Sequence, residues 1–370
     1  MDVFINDLLT EELELFSHSR ALDPVAPLPC DRWVAVSALQ KSIRRGDSLT
    51  AQRALRTLYR HDPGSTWRRL LIIACEDVGI GALGAVIVTA RRCANAKAFR
   101  ERGREEAAAL ATAQMLAEAA KDRSADLLFA VALRDPALEA TRSRCRSVSV
   151  ARRLELVADP TLSLPERAFA VWHCSGVESR AEHRVGPGDQ DALIRTYAEL
   201  GVPEQLLDAT AVAVKKAREP FVLLLPLLWL AAARSETELL NAPLPPSTLL
   251  DGVPCYALDG HTRLGRQAIR LFAQERHEIA QFLIERGCGS GDDGALRMAV
   301  FYADGALTWP TLQWRHSAEL MATGAAADFR SVNVEAKVGA ELVRLVAGHI
   351  ADLDKIRRQM LSRALRGDRP

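Results

Sequence analysis

The chain has 370 residues, with 48 lysine and arginine side chains against 47 aspartate and glutamate side chains, for a formal net charge of +1. This length allows two or three subdomains with a large core. The balanced charge excludes a protein that binds nucleic acid through overall charge alone, but it allows a local basic groove. The seven cysteines are scattered without a Cys-x-x-Cys pair, which disfavours a disulfide framework or a zinc ribbon and favours free thiols in a reducing cytosol.

The N-terminal segment predicts a short helix and not an export signal. Residues 5–17 are acidic and amphipathic, and a proline-rich linker follows them. The most apolar run, residues 221–233, is too short to span a bilayer and contains Pro226. We therefore expect a soluble cytoplasmic protein that contacts no membrane, in which residues 1–30 form a helix and a linker.

Residues 37–81 predict three helices and their turns. The apolar positions that repeat at helical spacing are Ala38, Leu39, Ile43, Ala51, Ala54, Leu55, Leu58, Leu70, Leu71, Ile73 and Ala74. Gly46 suits the end of the first helix, since glycine tolerates the left-handed conformation found there. Pro63 and Gly64 end the second helix, and Ser65 or Thr66 is the expected cap of the third.

This stretch also resembles a known family. SALQKSIRRGD followed by RRLLIIACEDVGIG is similar to the collar, the helical region behind the ATPase module, of the replication-associated recombination protein A and Werner-interacting ATPase family of clamp-loader-like AAA+ proteins. The resemblance covers roughly residues 35–150. No G-x-x-x-x-G-K-[ST] phosphate loop occurs, so we expect neither the ATPase module nor a nucleotide cofactor. The resemblance implies a helical scaffold beside DNA, with a homo-oligomer as one of its forms.

The second half of the chain also predicts helices. No segment alternates apolar and polar residues over the length of a strand, and turn residues separate runs of helical length. The predicted fold is all-α, with a collar-like domain at 31–150 and a second helical region at 151–370. Between them, residues 142–153 contain five arginines, which indicate a solvated linker or, as the alternative, a phosphate-contacting segment.

The polar cluster that best suggests chemistry is VPCYALDGHTRLGRQAIR, residues 253–270. Thr262 is the predicted cap of a helix, on which Arg263, Arg266 and Arg270 share one face. Asp259 and His261 precede that helix, at an N-terminus that favours anions. We interpret Asp259 and His261 as catalytic and the three arginines as DNA-binding residues.

The alternative interpretation of this cluster is structural. Asp259 then caps the helix, His261 bonds a carbonyl group, and the arginines pair with surface carboxylates. In that case Asp259→Asn should leave stability unchanged, because asparagine caps about as well as aspartate.

Three further groups of residues are candidates for a functional role. Glu76 and Asp77 are predicted to be structural and to pair with Arg68 or Arg69. His173, Cys174 and His183 show no diagnostic ligand spacing, so core packing is expected for them and no metal site is predicted.

The last group is the segment WPTLQWRH, residues 309–316. Trp314 and Arg315 are candidates for stacking a flipped base, with burial of the tryptophan as the alternative.

Two functions remain. A single carboxylate beside an arginine stripe, without a metal or nucleotide motif, favours a DNA glycosylase that excises a modified base and needs no cofactor. The chain as a whole also resembles stand-alone bacterial DNA glycosylases that act against phages with modified cytosines. The alternative is a non-catalytic collar that serves as an oligomerising adaptor for a replication or recombination ATPase.

Overall fold

The computed structural model describes residues 25–178, 185–233, 235–288 and 293–366, and these are mostly helical, which confirms the predicted all-α fold. The helix predicted at 5–17 lies outside the described residues. The α-helices in chain order are α1 (Arg32–Arg44), α2 (Ser48–His61), α3 (Pro63–Ile73), α4 (Leu83–Ala94), α5 (Ala96–Glu101), α6 (Glu105–Glu118), α7 (Ser124–Arg134), α8 (Glu139–Ser147), α9 (Val150–Ala158), α10 (Leu164–Ser175), α11 (Gln190–Glu199), α12 (Glu204–Ala217), α13 (Leu225–Ala232), α14 (Arg263–Glu275), α15 (His277–Glu285), α16 (Gly294–Val300), α17 (Ser317–Arg330), α18 (Ala336–Gly348) and α19 (Ile350–Leu365).

Two pairs of short strands lie among the helices of the described part of the chain. β1 (Glu238–Leu240) pairs with β4 (Thr311–Gln313), and β2 (Leu249–Leu250) pairs with β3 (Val253–Pro254), both antiparallel. Strands of two or three residues are too short to show an alternating pattern, which is why the sequence did not indicate them.

The helix trio predicted at 37–81 is present as α1, α2 and α3, packed on α6. Gly46 follows α1 at φ +74°, as expected for a helix end. The predicted cap of α3 was wrong: Asp62 accepts from the Gly64 N–H and Pro63 is the first helical residue. Proline suits that position because its missing N–H has no partner there in any helix.

One hydrophobic core runs through both halves of the described chain. It contains Leu39, Leu55 and Leu70 of the trio together with Phe169 and Phe272 from beyond residue 150. Helix α7 packs along α17, and α4 packs against α12. The division into domains at 31–150 and 151–370 remains a prediction.

Two π-helical turns, Ala74–Val78 and Phe301–Gly305, extend α3 and α16. Each has an aspartate as its fourth residue, Asp77 and Asp304. A π-turn holds one more residue than an α-turn and so re-aims the side chains that follow. Both turns contribute carboxylates to the environment of α1.

One continuous helical run, Pro63–Ala94, is apolar and long enough to cross a membrane by length and composition. In its most apolar window 61% of the residues are buried inside the protein. That burial is typical of a core helix in a soluble protein.

Candidate functional site

A row of polar residues on α1 points into the protein instead of toward solvent. Ser37 and Lys41 of α1 and Arg45 at its C-cap follow one another at intervals of four, and Gln40 and Arg44 form a second row beside them. Lys41 and Arg44 are each only 3% exposed. Buried charges need partners, and each row of α1 meets its own set of carboxylates.

Asp259 is the carboxylate that faces the first row. Its Oδ2 pairs with Lys41 Nζ and accepts a hydrogen bond from Ser37 Oγ at 3.1 Å, and Lys41 Nζ donates to Ser37 Oγ at 2.6 Å. Its Oδ1 accepts from the backbone N–H of His261 at 2.9 Å and of Thr262 at 3.1 Å. Asp259 is therefore saturated with donors on both oxygens.

The chain folds this way before α14 for local reasons. Thr262 caps α14 as predicted, with its Oγ1 accepting from the Gly265 N–H at 3.0 Å. Gly265 lies directly against the Asp259 backbone, where any Cβ would overlap the Asp259 oxygen and nitrogen. The absence of a side chain at Gly265 thus lets the Asp259 loop fold back onto the helix.

Charge and burial shift the pKa in opposite directions for each member of the Lys41–Asp259 pair. Burial alone would raise the pKa of Asp259, but the Lys41 ammonium and the His261 N–H lower it to about 2. Burial lowers the pKa of Lys41, against the opposing effect of the Asp259 carboxylate. Asp259 is therefore ionised throughout the neutral range.

Glu76 and Asp77 face the second row of α1. Arg44 donates to Asp77 Oδ1 at 2.5 Å and to Glu76 Oε1 at 2.9 Å. Gln40 Nε2 lies 2.9 Å from both carboxylates, and Arg123 Nε lies 3.3 Å from Asp77 Oδ1.

Of the two partners predicted for these carboxylates, Arg68 was wrong, because it donates to the Ala217 carbonyl at 2.7 Å. The charges of Glu76 and Asp77 do act on Arg69, where they oppose the lowering of its pKa by burial. Both carboxylates belong to the π-turn Ala74–Val78 and contact Arg44 of α1.

The pKa of Glu76 is shifted in the opposite direction from that of Asp259. Burial, with the negative charges of Asp77 and Asp126, raises the pKa of Glu76 to about 8, against the opposing effect of Arg44. The side chain keeps 18% exposure. Two carboxyl groups beside one helix thus have pKa values pushed in opposite directions.

The second π-turn completes the network from the other side. Asp304 accepts from Arg45 at 2.5 Å and from Arg357 of α19 at 2.7 Å. The Gly305 carbonyl accepts from Arg44 at 2.8 Å. The Phe301 ring lies 5.5 Å from the Arg44 guanidinium, within the range of a cation–π contact.

The predicted arginine stripe lies on α14, outside the buried network. Arg263 is exposed, and Arg266 donates to the His261 carbonyl at 3.3 Å. Arg270 pairs with Asp293 at 2.5 Å, as the structural interpretation expected. His261 is exposed beside Asp259, so the structure does bring these predicted residues together at the start of α14.

Trp314 lies elsewhere, in the core. It is 5% exposed, and its indole N–H donates to Asp122 at 3.1 Å. Its ring is therefore not available to a base in this structure, which fits the alternative interpretation of a buried anchor. Arg315 is exposed next to it, and Trp309 is 39% exposed.

The other candidates serve packing where the structure describes them. His173 is 4% exposed and stacks on Phe169 at 4.3 Å, and burial lowers its pKa to about 4. Cys174 is fully buried. His183 lies outside the described residues.

The expected arginine-rich linker was also wrong, because its residues form α8 and α9. Arg142 is buried and pairs with Glu139 at 2.9 Å. Arg153 donates to the Cys145 carbonyl at 2.7 Å. Arginines packed in this way stabilise the fold and are not all free for phosphates.

The sequence interpretation missed Lys41, Arg44, Asp304 and Arg357 as members of the network. Polar residues at helical spacing normally mark a solvated face, so their pattern on α1 gave no sign of burial. For Lys41 and Arg44 the available signal was their position inside the family-like motif QKSIRR, residues 40–45, and no such signal marked Asp304 or Arg357.

Within the described ranges, no group of three or more histidine, cysteine, aspartate or glutamate side chains could hold a metal ion. Two surface grooves lie apart from the network, one of about 680 Å³ between α11 and α12 and one of about 490 Å³ along α19. The candidate site is thus the buried Asp259 with the exposed His261 beside it, at the edge of a network of ion pairs.

Comparison with known proteins adds no relative. No family model, no curated protein and no solved structure matches the chain. The resemblances to the clamp-loader-like collar and to phage-defence glycosylases therefore remain expectations.

Proposed function

We propose that this protein is a DNA glycosylase that hydrolyses the bond between a modified base and its sugar. The observation that carries the proposal is the Asp259 carboxylate, which is ionised, fixed by Lys41 and two backbone N–H groups, and still 12% exposed at its side chain. A fixed negative charge is what a developing oxocarbenium-like sugar requires.

A second carboxyl group packed against α1 suits the proton-donor role in such a reaction. A proton donor to the leaving base must be protonated at neutral pH, and Glu76, with a pKa of about 8, meets that condition. Both hydrogen bonds to Glu76 go to Oε1, so Oε2 is the oxygen that would carry the proton. We assign Glu76 as the candidate acid.

The outer face of α14 supplies contacts for DNA. Arg263 and Arg266 project beside His261, and arginines at such a position hold phosphates on either side of the reacting nucleotide. We propose that the enzyme is cytoplasmic, requires no nucleotide cofactor, and acts in defence against phages whose DNA carries modified bases.

The test is excision of a base from DNA. Pure protein is incubated with phage DNA containing modified or ordinary bases, and abasic sites are detected by alkali cleavage. The parent should produce abasic sites in the modified DNA. The double variant Lys41→Met/Asp259→Asn, which removes both charges together, should fold and produce no abasic sites. A double variant as active as the parent would exclude this site.

A second function is favoured by the helix trio itself. Trp33 at the start of α1 and Leu49 at the start of α2 are 59% and 60% exposed, which is a high exposure for large apolar residues. A collar-type adaptor would use such residues to form a homo-oligomer or to contact an ATPase. Light scattering of the parent and of Trp33→Ser/Leu49→Ser separates the two functions, because only the adaptor depends on assembly.

A further inference from the structure

Helix α19 has a basic groove that the sequence interpretation did not single out. The groove has a volume of about 490 Å³ and is bounded by Leu250 of β2 on one side. It is also lined by Lys355, Arg358, Gln359, Ser362 and Arg363 of α19 and by Arg366 at the C-cap of that helix. Four of these six side chains are cationic and none is acidic, so the groove has a positive potential.

The central arginines of the groove are available to a ligand. Arg358 and Arg363 are exposed, and within the described part of the chain no carboxylate forms an ion pair with either of them. Lys355 differs, because its Nζ lies 2.8 Å from Asp352. Arginine presents a planar fork that matches two phosphate oxygens.

The opposite face of α19 is held in the core. Leu353, Ile356 and Met360 are buried there, and Arg357 donates to the Leu258 carbonyl at 3.0 Å. Since Leu258 directly precedes Asp259, the helix that carries the groove also supports the candidate site. A helix whose apolar face is already packed cannot insert it into a lipid surface, which argues against a membrane as the ligand.

The spacing of the cations fits a nucleic-acid backbone. Arg358 and Arg363 are five residues apart, which is about 7.5 Å along a helix. That length corresponds to about two phosphate spacings at 3.4 Å on one strand. Gln359 and Ser362 lie between the cations and add uncharged donors of the kind that contact phosphates.

We propose that the α19 groove binds the sugar–phosphate backbone of DNA, away from the bond that is broken. The proposal rests on the proposed function only in its choice of DNA as the ligand. The groove provides affinity without base specificity, because phosphate contacts position a protein on DNA and carry no sequence information.

The test measures DNA binding separately from base excision. A labelled 20-base-pair duplex is titrated with the parent, with Arg358→Gln/Arg363→Gln, and with the charge-matched control Arg60→Gln/Arg344→Gln, whose arginines are exposed on α2 and α18. The groove variant should bind more weakly, with a salt slope shallower by about 2, so its deficit should shrink about tenfold between 50 and 200 mM salt. The control should bind like the parent.

The outcomes separate this proposal from the proposed function. A groove variant that binds like the parent overturns the groove assignment, even if abasic sites are formed. Groove-dependent binding by a parent that forms no abasic sites supports the groove and overturns the glycosylase. A parent that does not bind the duplex overturns both. Equal binding to polyglutamate or to phosphatidylserine vesicles overturns DNA as the ligand.

Discussion

Lys41 and Asp259 form an ion pair across 218 residues of sequence, and both are at least 92% buried. Ser37 bridges the two, donating to the carboxylate and accepting from the ammonium. The pair joins α1 of the predicted collar to the loop before α14. It therefore links two segments for which the sequence predicted different roles, a helical scaffold and a catalytic site.

Breaking this pair should be costly, which changes the expectation for Asp259→Asn. Asparagine can still accept from the His261 and Thr262 N–H groups, but it leaves the Lys41 ammonium buried without a counter-ion. We expect a loss of about 3–5 kcal/mol in the free energy of unfolding. Urea denaturation at pH 7 measures it.

The double variant Lys41→Met/Asp259→Asn is the matched control for that loss. Removing both charges should cost clearly less than the two single substitutions added together, because neither partner is left charged and unpaired. Additive losses would show that the two side chains do not interact.

The contact between Gly265 and the Asp259 loop predicts an unusual sensitivity to a single methyl group. Gly265→Ala should destabilise the protein, by roughly 1–3 kcal/mol as for other overpacked sites, because the Asp259 backbone has no room to yield. Thermal unfolding is the measurement.

Gly84 provides the control for that substitution. It also lies within a helix, α4, but a Cβ there would meet nothing within 4 Å. Gly84→Ala should be neutral or stabilise by up to about 1 kcal/mol. Equal effects at the two glycines would contradict the close packing at Gly265.

The raised pKa of Glu76 predicts a specific pH dependence. Its pKa is about 8 in the folded protein against 4.5 for an unperturbed glutamate. The folded state therefore holds the proton more tightly than the unfolded state. This contribution to stability is complete below pH 4.5 and is lost as the pH rises through 8.

Glu76→Gln removes this titration while keeping an acceptor for Arg44. The melting temperature of the variant should equal that of the parent at pH 5 and exceed it at pH 9. Glu101→Gln, with a side chain 65% exposed on α5, should follow the parent at every pH. If the difference between Glu76→Gln and the parent does not grow with pH, Glu76 is ionised in the folded protein throughout this range.

The packing of the trio predicts a large cost for truncating its centre. Leu70 is completely buried among α1, α2 and α3, so Leu70→Ala should lower the free energy of unfolding by about 2–5 kcal/mol. Leu49→Ala removes the same atoms from a side chain that is 60% exposed and should stay within about 0.5 kcal/mol of the parent. Similar losses at both positions would contradict the observed core.

Several elements were determined by the sequence alone. Apolar spacing predicted α1, α2 and α3, and the left-handed Gly46 and the Thr262 cap appeared where their residue types indicated. These features depend on neighbours within about four residues, since helix periodicity and capping are local interactions. The cap of α3 was misplaced by three residues for a local reason too, because Asp62 competes with Ser65 for the same role.

The network around α1 was decided only by the tertiary structure. The sequence places Lys41 and Arg44 on a polar helix face, and nothing in that pattern distinguishes a face in water from one that meets buried carboxylates. Two of their partners, Asp259 and Gly305, lie 218 and 261 residues away in the sequence. Trp314 and its partner Asp122 are 192 residues apart. A charge is tolerated in the core only where folding brings its counter-charge within a few ångströms, and that proximity is a property of the packed chain.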